Sequence, residues 1–140
     1  MTVTGRPSPV GPVSGRDDRE LVLVVDDEPM VRRLAARVLE DAGYAVQEMG
    51  DGTQALDFIR SSGLAPVIVV SDIVMPGING IELLRILSLS HPDLPVILMS
   101  GYSAPQLVGL GITAPCAVLA KPFAPERLLD EVRRCIEERG

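Results

Sequence analysis

Leu21-Val22-Leu23-Val24-Val25-Asp26-Asp27 is the stretch that decides how this chain is read. Five consecutive apolar residues suit a strand buried on both faces, and such strands belong to parallel sheets covered by helices on either side. The two aspartates stand at its carboxyl end. A second run, Val67-Ile68-Val69-Val70-Ser71, ends the same way, on Asp72. In open α/β sheets ligands bind in the crevice at the carboxyl ends of the strands. Carboxylates gathered there repel one another unless a cation neutralises them. The two stretches together predict a divalent-metal site beside a reactive aspartate.

Outward from Leu21–Val25, strand-like and helix-like segments alternate with short connections. A helix opens at Pro29, a favourable first-turn residue, carries Val31, Leu34, Ala35, Val38 and Leu39 on one face, and closes at Gly43. Ala45–Met49 reads as a second strand, less apolar and therefore at an edge, and Thr53–Arg60 as a second helix with Ala55, Phe58 and Ile59 inward. Val67–Ser71 is the third strand. Met75-Pro76-Gly77 is turn chemistry, followed by a helix over Ile81–Leu89. Pro95–Met99 is the fourth strand, and Ser100-Gly101 leads into a short helix near Ser103. Cys116–Ala120 is the fifth strand, and Pro125–Glu138 the last helix, with Leu128, Leu129, Val132 and Cys135 or Ile136 toward the sheet. Five βα units in a row predict a doubly wound α/β fold, a five-stranded parallel sheet with helices on both faces, because crossovers are right-handed.

Residues 1–19, rich in Pro, Gly, Ser and Thr, show neither strand nor helix period and read as a flexible N-terminal arm or linker. Residues 20–140 form one domain. The chain is 46% hydrophobic and 23% charged, ordinary for a globular protein, and its formal charge of −6 argues against a nucleic-acid-binding surface. No segment reaches the roughly 18 apolar residues that would span a membrane, and the N-terminus lacks a signal-peptide core. A cytoplasmic location is expected. Cys116 and Cys135 are too few and too isolated for a disulfide framework or a zinc site. They are expected to be reduced packing thiols.

The exits of strands one, three, four and five share one sheet edge and carry Asp26 with Asp27, Asp72, Ser100 and Lys121. Carboxylate oxygens suit a small hard cation such as Mg²⁺ or Mn²⁺. A metal so held grips a phosphoryl oxygen as a Lewis acid, while a lysine ammonium and a hydroxyl serve other oxygens. Asp72 is then the nucleophile, since aspartate can form an acyl phosphate. Singly, each residue has a plainer role. Asp72 fits a helix cap, Asp26-Asp27 a solvated turn, Ser100 the start of a turn and Lys121 a surface lysine. Their convergence on one edge favours the joint chemical reading.

With those residues in place, Leu21 to Glu138, about 118 of 140 residues, resembles the receiver domain of two-component response regulators. The matching segments are Leu21 to Pro29, Ser71-Asp72-Ile73-Val74-Met75-Pro76-Gly77, Met99-Ser100-Gly101 and Lys121-Pro122-Phe123. The resemblance implies a flavodoxin-like strand order 2-1-3-4-5 and a phosphoacceptor switch of a phosphorelay. In that role Asp72 takes a phosphoryl group from a kinase phosphohistidine. It further implies that Asp27, Asp72 and the backbone carbonyl of Val74 bind Mg²⁺, with Asp26 acting partly through water. Ser100 and Lys121 would contact phosphoryl oxygens, Gly101 would leave the phosphoryl group room to pass, and Lys121-Pro122 would be cis, as X-Pro chemistry permits. The implied partners are a sensor histidine kinase or phosphotransfer protein and a downstream protein, with neither nucleic acid nor membrane contacted directly. A weak homodimer through the face formed by the fourth and fifth helices and the strand between them is also compatible with the resemblance. Turnover would be limited to self-catalysed phosphotransfer and slow autodephosphorylation, so the chain is not expected to be an enzyme in the usual sense.

Three departures stand out. Val118 occupies the position three residues before the lysine where many receivers carry an aromatic switch, so Tyr102 and the Ser100 loop are the substitute switch candidates. Ala124 stands where a capping Ser or Asp would serve the last helix, an omission of about 1 kcal/mol partly offset by Pro125. His91, the only histidine, is expected to be a solvated loop residue. A degenerate receiver acting as an interaction scaffold conflicts with the intact Asp27, Asp72, Ser100 and Lys121. A Mg²⁺-dependent aspartate-nucleophile phosphatase would want Asp-x-Asp where Asp26-Asp27-Glu28-Pro29 stands, and a flavin module a phosphate-cradling loop there. The Ser100-Gly101-Tyr102-Ser103 stretch is similar to receivers attached to hybrid kinases, and both a stand-alone and an attached receiver fit the arm at 1–19.

Overall fold

A computed structural model describes residues 18–101 and 114–139. Five strands, β1 (Leu21–Val25), β2 (Ala45–Met49), β3 (Ile68–Asp72), β4 (Val96–Ser100) and β5 (Ala117–Ala120), form one sheet. All four pairings are parallel and the order is β2-β1-β3-β4-β5. The helices among the described residues are α1 (Pro29–Asp41), α2 (Gly52–Ser61), α3 (Gly80–Ser90) and α4 (Pro125–Arg139). The expected doubly wound sheet is therefore present, with β2 at an edge.

Alternation along the strands feeds two cores. Val22 and Val24, Ile68 and Val70, Ile97 and Met99, and Leu119 pack with Ala35 and Leu39 of α1 and Leu128, Val132 and Cys135 of α4. Leu23 and Val25, Val69, and Val96 and Leu98 pack on the opposite face with Ala55 and Leu56 of α2 and Leu83, Leu84 and Leu87 of α3. This two-sided burial explains why β1, β3 and β4 read as continuous apolar runs, every residue of each being buried. β5, with a single neighbour, is only partly covered.

Local chemistry sets the element ends. Pro29 starts α1 without a side-chain cap. Asp51 caps α2 through Gln54 N–H at 2.8 Å, and Asn79 with Glu82 forms a reciprocal capping box on α3 that the sequence reading overlooked. Gly77 has φ +72°, as its turn requires. Ala124, the residue just before α4, accepts from the amides of Arg127 and Leu128 through its backbone carbonyl. His91 is exposed at the end of α3, its ring nitrogen 2.8 Å from Ser90 Oγ. The expected short helix near Ser103, and Tyr102, lie outside the described residues.

Two expectations are corrected. β3 and β4 begin and end one residue later than expected, so Asp72 and Ser100 are the last strand residues rather than the first loop residues. The ladder bond from Ile73 N–H to the Met99 carbonyl, 3.1 Å, carries the pairing past Asp72. The cysteines are not free thiols: Cys116 and Cys135 form a disulfide, with Cα atoms 6.1 Å apart. They are 19 residues apart in the chain. The reversal from β5 into α4 returns Cys135 to the start of the strand, which spacing alone does not reveal. Lys121-Pro122 is cis, as expected.

Candidate functional site

Parallel pairing places the tips of β1, β3, β4 and β5 at one end of the sheet, and the acidic residues arrive there on the most rigid elements available. Asp26 follows β1 and is fully buried; Asp72 closes β3 and is 7% exposed; Ser100 closes β4 and is 3% exposed. Asp27 is exposed beside them. One carboxylate oxygen from each of Asp26, Asp27 and Asp72 can be chosen so that all three lie within 4.8 Å of one another. That spacing and all-oxygen chemistry fit a small hard divalent cation.

Lys121, on the first residue after β5, completes the group. Its Nζ lies 3.0 Å from Asp26 Oδ2, 3.3 Å from Asp72 Oδ1 and 3.4 Å from Glu28 Oε1. The Lys121 amide donates to the Ser100 carbonyl at 2.9 Å, so β4 and β5 hold their exits in register. Asp26 Oδ1 accepts from the Glu28 amide at 2.9 Å, and Asp72 Oδ1 from the Ile73 amide at 2.9 Å. Both amides fix the carboxylate planes. No hydrogen bond to Asp72 Oδ2 is found among the described residues. Asp27, Glu28, Asp72, Val74, Gly101 and Lys121 line an open recess of about 530 Å³ around this cluster.

The electrostatics follow from burial. Desolvation, with repulsion from Asp26, raises the Asp72 pKa above the ordinary carboxylate range, and Lys121 and the Ile73 amide only partly counter this. For Lys121, burial disfavours the ammonium, but Asp26 and Asp72 together outweigh it and raise its pKa. The site thus holds excess negative charge around one ammonium.

Two contributors were not singled out in the sequence. Gly80, first residue of α3, lies so close to β3 that a Cβ there would collide with the Asp72 carbonyl and come within 2.9 Å of the Ile73 Cα. Its amide donates to the Ile73 carbonyl at 2.8 Å. Only glycine lets α3 buttress the strand tip this closely. Arg32 on α1 donates from Nη1 to the Asp26 carbonyl at 2.8 Å and from Nε to Glu48 Oε1 at 3.1 Å, tying the β1 exit to β2. A glycine after a turn and an arginine on a helix carry no local mark of these roles. Of the switch candidates, Ser100 is in the site, and Val118 lies half-buried opposite Leu98. At Gly101 an added Cβ would meet nothing within 4 Å.

A sequence profile of the response regulator receiver domain matches residues 22–133. Similar proteins include the sensor kinase CckA of Brucella abortus, 39% identical over 118 residues that make up 84% of this chain and 12% of that protein. Another is the C4-dicarboxylate transport transcriptional regulatory protein DctD of Pseudomonas aeruginosa, 40% identical over 131 residues, 93% of this chain and 28% of that one. The chain thus spans only a fraction of the length of these curated relatives. Among solved structures, a response regulator receiver protein from Sinorhizobium medicae superposes with a TM-score of 0.79 at 27% identity, covering 88% of this chain and 98% of that one. TrrA of Thermotoga maritima, solved in complex with Mg²⁺-BeF, does so with a TM-score of 0.74 at 31% identity, covering 83% and 98%. The chain belongs to the response regulator receiver domain family. That family is one of signalling switches of two-component systems.

Proposed function

We propose that Asp72 is the phosphoacceptor of this receiver, and that the domain occupies residues 20–140. The observation that carries the reading is the convergence of Asp26, Asp27 and Asp72 within 4.8 Å, with the Lys121 ammonium against two of them. An Asp72 carboxylate oxygen attacks the phosphorus of a phosphohistidine on a sensor kinase or phosphotransfer protein. The P–N bond breaks, and its electron pair returns to the imidazole. Asp26, Asp27, Asp72 and the Val74 carbonyl are the residues that would hold Mg²⁺ or Mn²⁺. Such a cation supplies Lewis-acid charge for the phosphoryl oxygens. Lys121 moves its ammonium from carboxylates to a phosphoryl oxygen, and the Ser100 hydroxyl donates to another. Transfer and the slow hydrolysis that resets the switch are catalysed by the domain itself.

Docking of the phosphodonor is assigned to the exposed side of α1 next to the site. There Met30 is 86% exposed and Leu34 50%, and these residues with Pro29, Arg33, Arg37 and Glu40 line an open groove. The domain is read as cytoplasmic; no described helix is long and apolar enough to cross a membrane. Incubation with acetyl phosphate and Mg²⁺, followed by intact mass, tests the assignment. One added phosphoryl group that is absent in Asp72→Asn is the expected result. A folded wild-type protein that takes no label with metal present would instead support a scaffold.

A further inference from the structure

The disulfide lies away from the acidic site, at the opposite end of β5, and the phosphoacceptor chemistry makes no use of it. Cys116 directly precedes the strand, donating its amide to the Val96 carbonyl at 2.8 Å, while Cys135 belongs to the face of α4 that packs on the sheet. The two sulfurs differ in surroundings. Cys135 is 1% exposed, whereas Cys116 is half-buried. Both line an open recess of about 220 Å³, together with Pro92, Asp93, Pro95, Glu138 and Arg139. One guanidinium, itself paired with Glu131 and Glu138, reaches the bridge: Arg134 Nη2 lies 3.0 Å from the Cys116 backbone carbonyl and 3.7 Å from Cys135 Sγ.

We propose that Cys116 and Cys135 form a reversible thiol–disulfide site that reacts with low-molecular-weight thiols and disulfides and fastens the edge strand β5 to α4. An open recess gives a small thiol access to the bond, and a cation beside a sulfur stabilises the thiolate that exchange requires. A buried cross-link serving packing alone needs neither. In the oxidising direction the Cys116 thiolate attacks a sulfur of a disulfide such as glutathione disulfide, releasing one glutathione thiolate and leaving a mixed disulfide. The Cys135 thiolate, held against Arg134, then attacks the Cys116 sulfur, and the second glutathione leaves. The two protein thiols lose two electrons and two protons, and the oxidant becomes two thiols. The consequence falls on β5, which has one strand neighbour and carries Lys121 at its far end.

The test equilibrates the full chain in buffers of graded glutathione to glutathione disulfide ratio, quenches with an alkylating reagent and reads intact mass, with circular dichroism to confirm folding. The expected result is a single transition from two alkylated thiols to none within the buffered range. Amide exchange over Ala117–Ala120 should be slower on the oxidised side. Arg134→Gln shifts the transition toward more reducing buffers, since the reduced form loses its counter-charge, and Cys135→Ala accumulates a glutathione adduct on Cys116. If Cys135→Ala does not fold, the wild-type titration decides alone. A folded protein whose thiols stay alkylatable in glutathione disulfide, or whose cross-link survives excess glutathione, overturns the proposal.

Discussion

The strands that carry the site's negative charge and the strand that carries its positive charge are built differently. β1 and β3 are central, buried along their whole length and flanked by strands on both sides, and they hold Asp26 and Asp72 at their tips. β5 is a four-residue edge strand, half-covered, and it presents Lys121. The carboxylates cannot retreat from one another because moving either would break ladder bonds and open two cores at once. The lysine sits on the element with least to lose by shifting. A switch needs that asymmetry: fixed groups that define where the phosphoryl lands, and one opposite charge that is able to follow it.

The largest expected effect falls on the edge strand. Reducing the Cys116–Cys135 bond, which closes a 19-residue separation, should lower stability by about 3 kcal/mol on the chain-entropy estimate. Urea unfolding with and without reductant measures this, and unchanged midpoints would show that β5 is held adequately by β4 alone. The rigid side is tested next by Gly80→Ala. Its Cβ has no space against the Asp72 carbonyl, so a loss of about 2 kcal/mol is expected, from overpacking. Labelling by acetyl phosphate should slow as β3's tip shifts. Full stability with normal labelling would show that α3 yields instead.

Arg32→Ala removes the tie between the Asp26 carbonyl and Glu48. Loss of a charge-assisted hydrogen bond to a buried carbonyl costs about 1.5 kcal/mol. Calorimetric titration should show weaker Mg²⁺ binding, whereas Arg37→Ala, whose guanidinium pairs with the exposed Asp41, should leave both unchanged. The smallest effect is the pH dependence. Because the folded-state pKa of Asp72 lies above its unfolded value of 3.8, the folded state binds the proton more tightly. Asp72 therefore favours folding at low pH, and that contribution is lost as pH rises from about the unfolded value through the raised folded one. Lys121 has the same sign at the alkaline end: its stabilisation is complete below 10.5 and is lost as pH climbs through its raised folded value. Metal-free Asp72→Asn should therefore gain stability over wild type as pH rises from acid to neutral. A constant difference in thermal midpoint across that range would contradict the assigned burial.

Much of this was legible in the chain because the signals are local. Apolar runs ending in Asp, Ser or Lys declare buried parallel strands and name the edge on which their last residues meet, so the doubly wound sheet and the set Asp26, Asp27, Asp72, Ser100 and Lys121 needed no coordinates. A strand's length and burial follow from its own few residues. The rest depended on distances between segments far apart in sequence. Lys121 bridging Asp26 and Asp72, Arg32 reaching the β1 exit, Gly80 pressed on the Asp72 carbonyl and Cys135 folded back onto Cys116 are facts of packing. Which chemical groups the sheet presents at its edge is written in the chain, because strand periodicity and turn chemistry are short-range. Which of those groups are rigid, which carboxylates Lys121 reaches and whether two cysteines bond are settled by how α1, α3 and α4 close over the sheet.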